Sequence, residues 1–64
     1  MSKQVTLINP WTQEATAWAL TWGEIERWAK EHVHQRDLSE WLKTAKRAYA
    51  AGDGAALGRM IIGA

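Results

Sequence analysis

Gln4-Val5-Thr6-Leu7-Ile8-Asn9-Pro10-Trp11-Thr12-Gln13-Glu14-Ala15-Thr16-Ala17-Trp18-Ala19-Leu20 is the stretch that decides the fold, because it supports two incompatible readings. In the first, Gln4 to Ile8 is a strand with Val5 and Leu7 on one face and Thr6 on the other. Asn9 and Pro10 then supply turn chemistry, asparagine suiting the first turn position and proline presetting the backbone angle at the next. Ala15 to Leu20 alternates small residues with Thr16, Trp18 and Leu20, so one of its faces can pack on a core. The result is a β-hairpin.

In the second reading Asn9 caps a helix, Pro10 is its first residue, and Trp11, Ala15, Trp18 and Trp22 fall at i, i+4, i+7 and i+11. The alanines favour this helix. Thr12, Thr16 and Thr21 oppose it, because β-branched side chains lose rotamer freedom there. A helix would also leave the strand at Gln4 to Ile8 without a partner, and this decides for the hairpin. The expected fold is therefore α+β, an N-terminal β-hairpin followed by three α-helices, with an all-α small helical bundle as the alternative.

Downstream boundaries are written more plainly. Thr21-Trp22-Gly23-Glu24 is a capping box, with Leu20 and Ile25 at the positions of a hydrophobic staple, so a helix starts at Trp22 and runs to about His34. Its inward stripe is Trp22, Ile25, Trp28 or Ala29, and His32 or Val33, while Glu26 with Lys30 and Arg27 with Glu31 form outer i, i+4 pairs. Gln35 and Arg36 read as a connection. Asp37-Leu38-Ser39-Glu40 signals a second cap, opening a helix from Leu38 to about Ala51 with Leu38, Trp41, Leu42, Ala45 and Tyr49 inward. Gly52 suits a left-handed C-cap, and Asp53 caps a short third helix from Gly54 to about Ile62 that docks through Leu57, Met60 and Ile61.

A chain of 64 residues supports a single small domain, residues 1–64. It has no cysteine, which excludes disulfides and thiolate metal sites and fits a reducing compartment. Met1 to Thr6 lacks the apolar run of a signal peptide, and no segment approaches the ~20 apolar residues of a membrane span, so the expectation is a cytoplasmic protein with no membrane partner. Eight Lys and Arg against seven Asp and Glu is a balance unlike that of a dedicated nucleic-acid binder.

Little in the chain points to catalysis or to a cofactor. His32 and His34, two apart, diverge on a helix and cannot share one ion, so they read as cations near a helix C-terminus. The glycine-rich Gly52 to Gly58 follows a helix, whereas a dinucleotide fingerprint follows a strand; it reads as a helix-to-helix turn, with Gly58 admitting a close helix or indole. Ser2 lies near the terminus and Ser39 beside a cap, neither in a strained elbow. The carboxylates stand in caps or opposite basic residues. The expectation is a non-enzyme with no catalytic, metal or cofactor residues.

Five tryptophans remain to be explained, four of them between Trp11 and Trp28. Each indole can bury roughly 150–250 Å², more in sum than three short helices and a hairpin can enclose. Trp41 lies on an apolar stripe and is the best core candidate; Trp11 in the turn and then Trp18 are the ones expected outside. Exposed tryptophan is enriched at interfaces, so Trp11, Trp18, Trp22 and Trp28 are the candidate partner-binding residues, for another protein or for a second copy in a homodimer. The expected function is an inhibitor or adaptor. The alternative is a small nucleic-acid-binding regulator using Lys43, Lys46, Arg47 and Arg59 as one basic patch.

Overall fold

The computed structural model describes residues 3–63, and the expected order of elements holds: β1 (Val5–Ile8), β2 (Ala15–Leu20), α1 (Trp22–His32), α2 (Gln35–Ala51) and α3 (Gly54–Ile61). The fold is α+β, with a two-stranded antiparallel hairpin followed by three helices. Ser2, considered above as a nucleophile, lies outside the described residues.

The hairpin turn is built by Asn9. Its Oδ1 accepts the N–H groups of Trp11 (2.8 Å) and Thr12 (3.1 Å), its carbonyl accepts from Gln13 N–H (2.7 Å), and its own N–H donates to the Glu14 carbonyl (2.9 Å). Gln13 takes the left-handed conformation at φ 60, which lets six residues reverse the chain and rules out the helical reading of the Trp11 stripe. The strands pair Val5 with Leu20, Thr6 with Ala19 and Ile8 with Ala15. Two steps on β1 thus face four on β2, so β2 bulges at Thr16, Ala17 and Trp18 instead of alternating evenly. The Thr16 hydroxyl fills the gap, donating to the Leu7 carbonyl (2.9 Å) and accepting from Trp18 N–H (3.1 Å).

The Thr21 capping box forms as expected, with Glu24 N–H donating to Thr21 Oγ1 (3.3 Å) and Thr21 N–H donating to Glu24 Oε1 (2.9 Å). The next boundary differs from expectation. α1 ends at His32, and α2 begins at Gln35, earlier than an Asp37 cap would start it. His34 is the cap: its Nδ1 accepts from Arg36 N–H (3.0 Å), and its carbonyl accepts from Asp37 N–H (2.9 Å). An imidazole nitrogen does here what an aspartate does elsewhere, and Asp37 sits in the first turn, where its charge still suits the helix dipole. So His34, the residue after the C-cap of α1, is near that helix C-terminus as expected and also caps the N-terminus of α2. Gly52 is the left-handed cap of α2 at φ 70, and Asp53 caps α3 by accepting from Ala56 N–H (3.0 Å).

Val5, Leu7, Ile25, Ala45, Ala48, Leu57 and Ile61 form the core. Buried positions on the two long helices are mostly alanine, namely Ala29 on α1 and Ala45 and Ala48 on α2. Trp41 is accordingly only half-buried, as are Val33, Leu38, Leu42, Tyr49 and Met60. Small residues fill the interior of the helix pair, and its large rings border it, Trp28 on Trp41 at 5.6 Å between centroids and Trp22 on Tyr49 at 5.7 Å. The N-terminal segment ties down the end of α2: Lys3 Nζ donates to the Ala50 carbonyl (3.0 Å), and the Tyr49 hydroxyl donates to the Lys3 carbonyl. Of the expected ion pairs on α1, neither Glu26 with Lys30 nor Arg27 with Glu31 closes; among the described residues the ion pair formed is Lys43 with Glu40 (3.6 Å), on α2.

α3 packs along β1 through two glycines one helical turn apart. A β-carbon on Gly54 would collide with the Thr6 carbonyl oxygen, and one on Gly58 with that of Ile8. Helix backbone thus lies directly on strand backbone, close enough for Cα–H···O contacts. The close neighbour that Gly58 admits is a strand edge, not a helix or an indole. One edge of the hairpin is therefore covered by α3, and the other edge, that of β2, is open.

Candidate interaction surface

The bulge in β2 aims Trp18. With the Thr16 hydroxyl taking its N–H, Trp18 stands 55% exposed beside Leu20, which packs on the core. Trp18, Leu20, Trp28 and Ile61 wall a groove of about 250 Å³, with Glu24 at its rim. Four apolar side chains from β2, α1 and α3 converge there, brought together by the hairpin on one side and the α1 cap on the other. His32 stacks on Trp28 at 4.6 Å between ring centroids, and its Nδ1 lies 2.9 Å from the Trp28 carbonyl oxygen, so this wall is held in place.

Glu24 contributes the charge at this site. Its carboxyl is held below the ordinary carboxylate range, first by the hydrogen bond from the Thr21 backbone N–H and then by that from the Thr21 hydroxyl. The carboxylate is fixed by its capping role and exposed, so the groove is an apolar cleft with one anchored negative group at its lip.

The four tryptophans proposed for binding do not form one surface. Trp18 and Trp28 share the groove, whereas Trp11 stands alone on the turn, 72% exposed. Trp22 lines a different hollow of about 270 Å³ with Glu26, Ser39, Leu42, Lys43 and Lys46. The basic residues separate as well. Lys46 lies over the Trp22 ring at 5.5 Å and Lys43 pairs with Glu40, while Arg59 lines a third hollow with Ile8, Asn9 and Gln13. Arg47 is exposed on α2. Leu20 and Ile61 are groove-lining residues that sequence reasoning missed, since Leu20 read as the staple partner of Ile25 and Ile61 as an apolar docking position of the third helix; the capping box that places Glu24 was visible, but not its position at a groove. Among the described residues no cluster of His, Cys, Asp or Glu is arranged to hold a metal, and no helix is long and apolar enough to cross a membrane.

No protein-family model, curated protein or solved structure matches the chain.

Proposed function

We propose that this chain is a non-enzymatic protein-protein interaction module, an inhibitor or adaptor that binds another protein through the groove of Trp18, Leu20, Trp28 and Ile61 and associates as a homodimer. The observation that carries this reading is the groove itself: an exposed indole, Trp18, with half-buried Leu20 and Trp28 over the buried Ile61 and beside a fixed carboxylate. Indole-walled pockets are where a few residues supply most of the affinity at an interface. The complementary partner presents one apolar side chain with a hydrogen-bond donor or cation next to it for Glu24. The cysteine-free composition supports a cytoplasmic setting.

The test is capture of partners from native lysate by wild-type protein and by Trp18→Ala, each at ~50 and ~200 mM salt. A protein retained by the wild type at both salt concentrations and lost with Trp18→Ala supports the reading. Recovery of nucleic acid alone, with binding that collapses across that salt range, overturns it in favour of the regulator using Lys43, Lys46 and Arg47.

A further inference from the structure

Thr6 and Ile8 turn their carbonyls towards α3. In an antiparallel ladder, residues directly opposite such outward-facing groups also face away from the pair. Their partners are Ala19 and Ala15, so the N–H and C=O groups of these two alanines point out along the open edge of β2. The bond from Asn9 N–H to the Glu14 carbonyl, one step further along the ladder, agrees with this alternation. Among the described residues no hydrogen bond from outside the sheet reaches Ala15 or Ala19. β2 reads Ala-Thr-Ala-Trp-Ala-Leu and carries none of the charges or prolines that usually protect a strand edge.

We infer that the occupant of this edge is a second copy of the chain, joined antiparallel through β2 into a four-stranded sheet, with Ala15 opposite Ala19 of the second copy and the two-fold axis at Ala17. The inference rests on the interaction-module reading above and names the partner in its homodimer. This register uses both outward residues of each strand, and they flank the bulge, whose Trp18 N–H is already taken by Thr16.

Charge permits the pairing. The charged residue bordering β2 is Glu14, which in this register lies opposite Leu20 of the second copy and roughly 20 Å from the other Glu14 at ~3.3 Å per residue. That is beyond the screening length at physiological salt.

Area sets the strength. A strand edge roughly 20 Å long on a sheet layer ~10 Å thick covers roughly 200 Å² per copy, or about 400 Å² in total. Interfaces of this size are weak and reversible, so the dimer forms in the micromolar to millimolar range and depends on concentration.

The experiment is sedimentation velocity from ~10 µM to ~1 mM, together with oxidation of Ala17→Cys, which introduces the only thiol in the chain. Residues opposed across an antiparallel pair have Cα atoms ~4.5–5.5 Å apart, inside the range that a disulfide spans. The expected result is a mass rising with concentration from 7.2 kDa towards twice that, rapid cross-linking of Ala17→Cys but not of Ala51→Cys at the end of α2, and at least tenfold weaker association for Ala17→Lys with an unchanged circular dichroism spectrum. A chain that stays monomeric to ~1 mM, or cross-linking no faster than that of Ala51→Cys, overturns the pairing. The two readings fail separately. A monomer that still loses its captured partner with Trp18→Ala sinks the pairing and the homodimer but leaves the groove as a protein-binding site, and a dimer whose captured proteins ignore Trp18→Ala sinks only the groove.

Discussion

Gly58→Ala puts the contact between α3 and β1 to a direct test. The added methyl would land on the Ile8 carbonyl oxygen, a backbone atom in a strand held by its ladder to β2, so no side-chain rotation relieves the overlap. α3 must therefore move away from β1. Leu57 is fully buried and Ile61 nearly so, both through this docking. Complete detachment would expose both, at ~1.5–3 kcal/mol each, or about 3–6 kcal/mol, while a partial shift of the overpacked kind costs about 1–3 kcal/mol. Alanine returns about 1 kcal/mol through its helix propensity. The overlap is far inside contact distance, which favours the larger displacement, and the net expectation is a loss of about 2–4 kcal/mol. A domain of this length is stable by about 3–10 kcal/mol, at ~0.05–0.15 per residue, so the loss is a large share of the total. Urea unfolding followed by indole fluorescence and circular dichroism measures it, and the melting temperature should fall by roughly 10–30 °C. Gly23→Ala is the control. Its β-carbon would meet nothing closer than Thr21 Oγ1 at 4.0 Å, so it should gain a few tenths to about 1 kcal/mol. If Gly58→Ala raised the urea midpoint as Gly23→Ala should, the backbone-on-backbone docking would be wrong.

Four other expectations can be checked by the same unfolding assay. Thr21→Ala removes the capping hydroxyl and should cost about 0.5–2 kcal/mol. Glu24 has its pKa lowered in the folded state from 4.5 by the two Thr21 donors, so the stability it adds is present above the unfolded value and is lost as pH falls through the folded one; the gap between wild type and Glu24→Gln should close as pH falls from neutral through that lowered value. Thr16→Val strips the bulge of the hydroxyl that serves both Leu7 and Trp18, and should cost about 1–2 kcal/mol and shift Trp18 fluorescence. Trp11→Ala, at an exposed site, should change stability by no more than about 0.5 kcal/mol, whereas Trp28→Ala should cost about 1.5–2.5 kcal/mol, half that of a fully buried indole; equal effects would contradict the placement of these two rings.

What was legible in the sequence was what a few neighbouring residues settle among themselves. Thr21 and Glu24 satisfy each other's backbone groups three residues apart, Gly52 can take a positive φ that others resist, and Asn9 with Pro10 reverses the chain. The start of α2 escaped this logic, because either Asp37 or His34 can cap a helix and aspartate is the commoner choice. Trp41 escaped it because an apolar stripe says which side of a helix faces inward but not how far in a given residue sits. With alanines at the buried positions of both long helices, the wide rings stop at the border.

The sequence by itself determined the three helices and most of their ends and favoured the hairpin over a helix, since caps and turns are hydrogen bonds closed within four or five residues. Tertiary structure alone decided the groove and the open edge. The groove needs Trp18 and Leu20 from a strand, Trp28 from α1 and Ile61 from α3 to meet, and no local pattern records that convergence. The open edge exists because Gly54 and Gly58 let α3 cover β1 and leave β2 uncovered, a choice made by which backbones can touch. Read along the chain, those glycines looked like a turn and a gap for a side chain; in the fold they determine which edge of the sheet faces solvent.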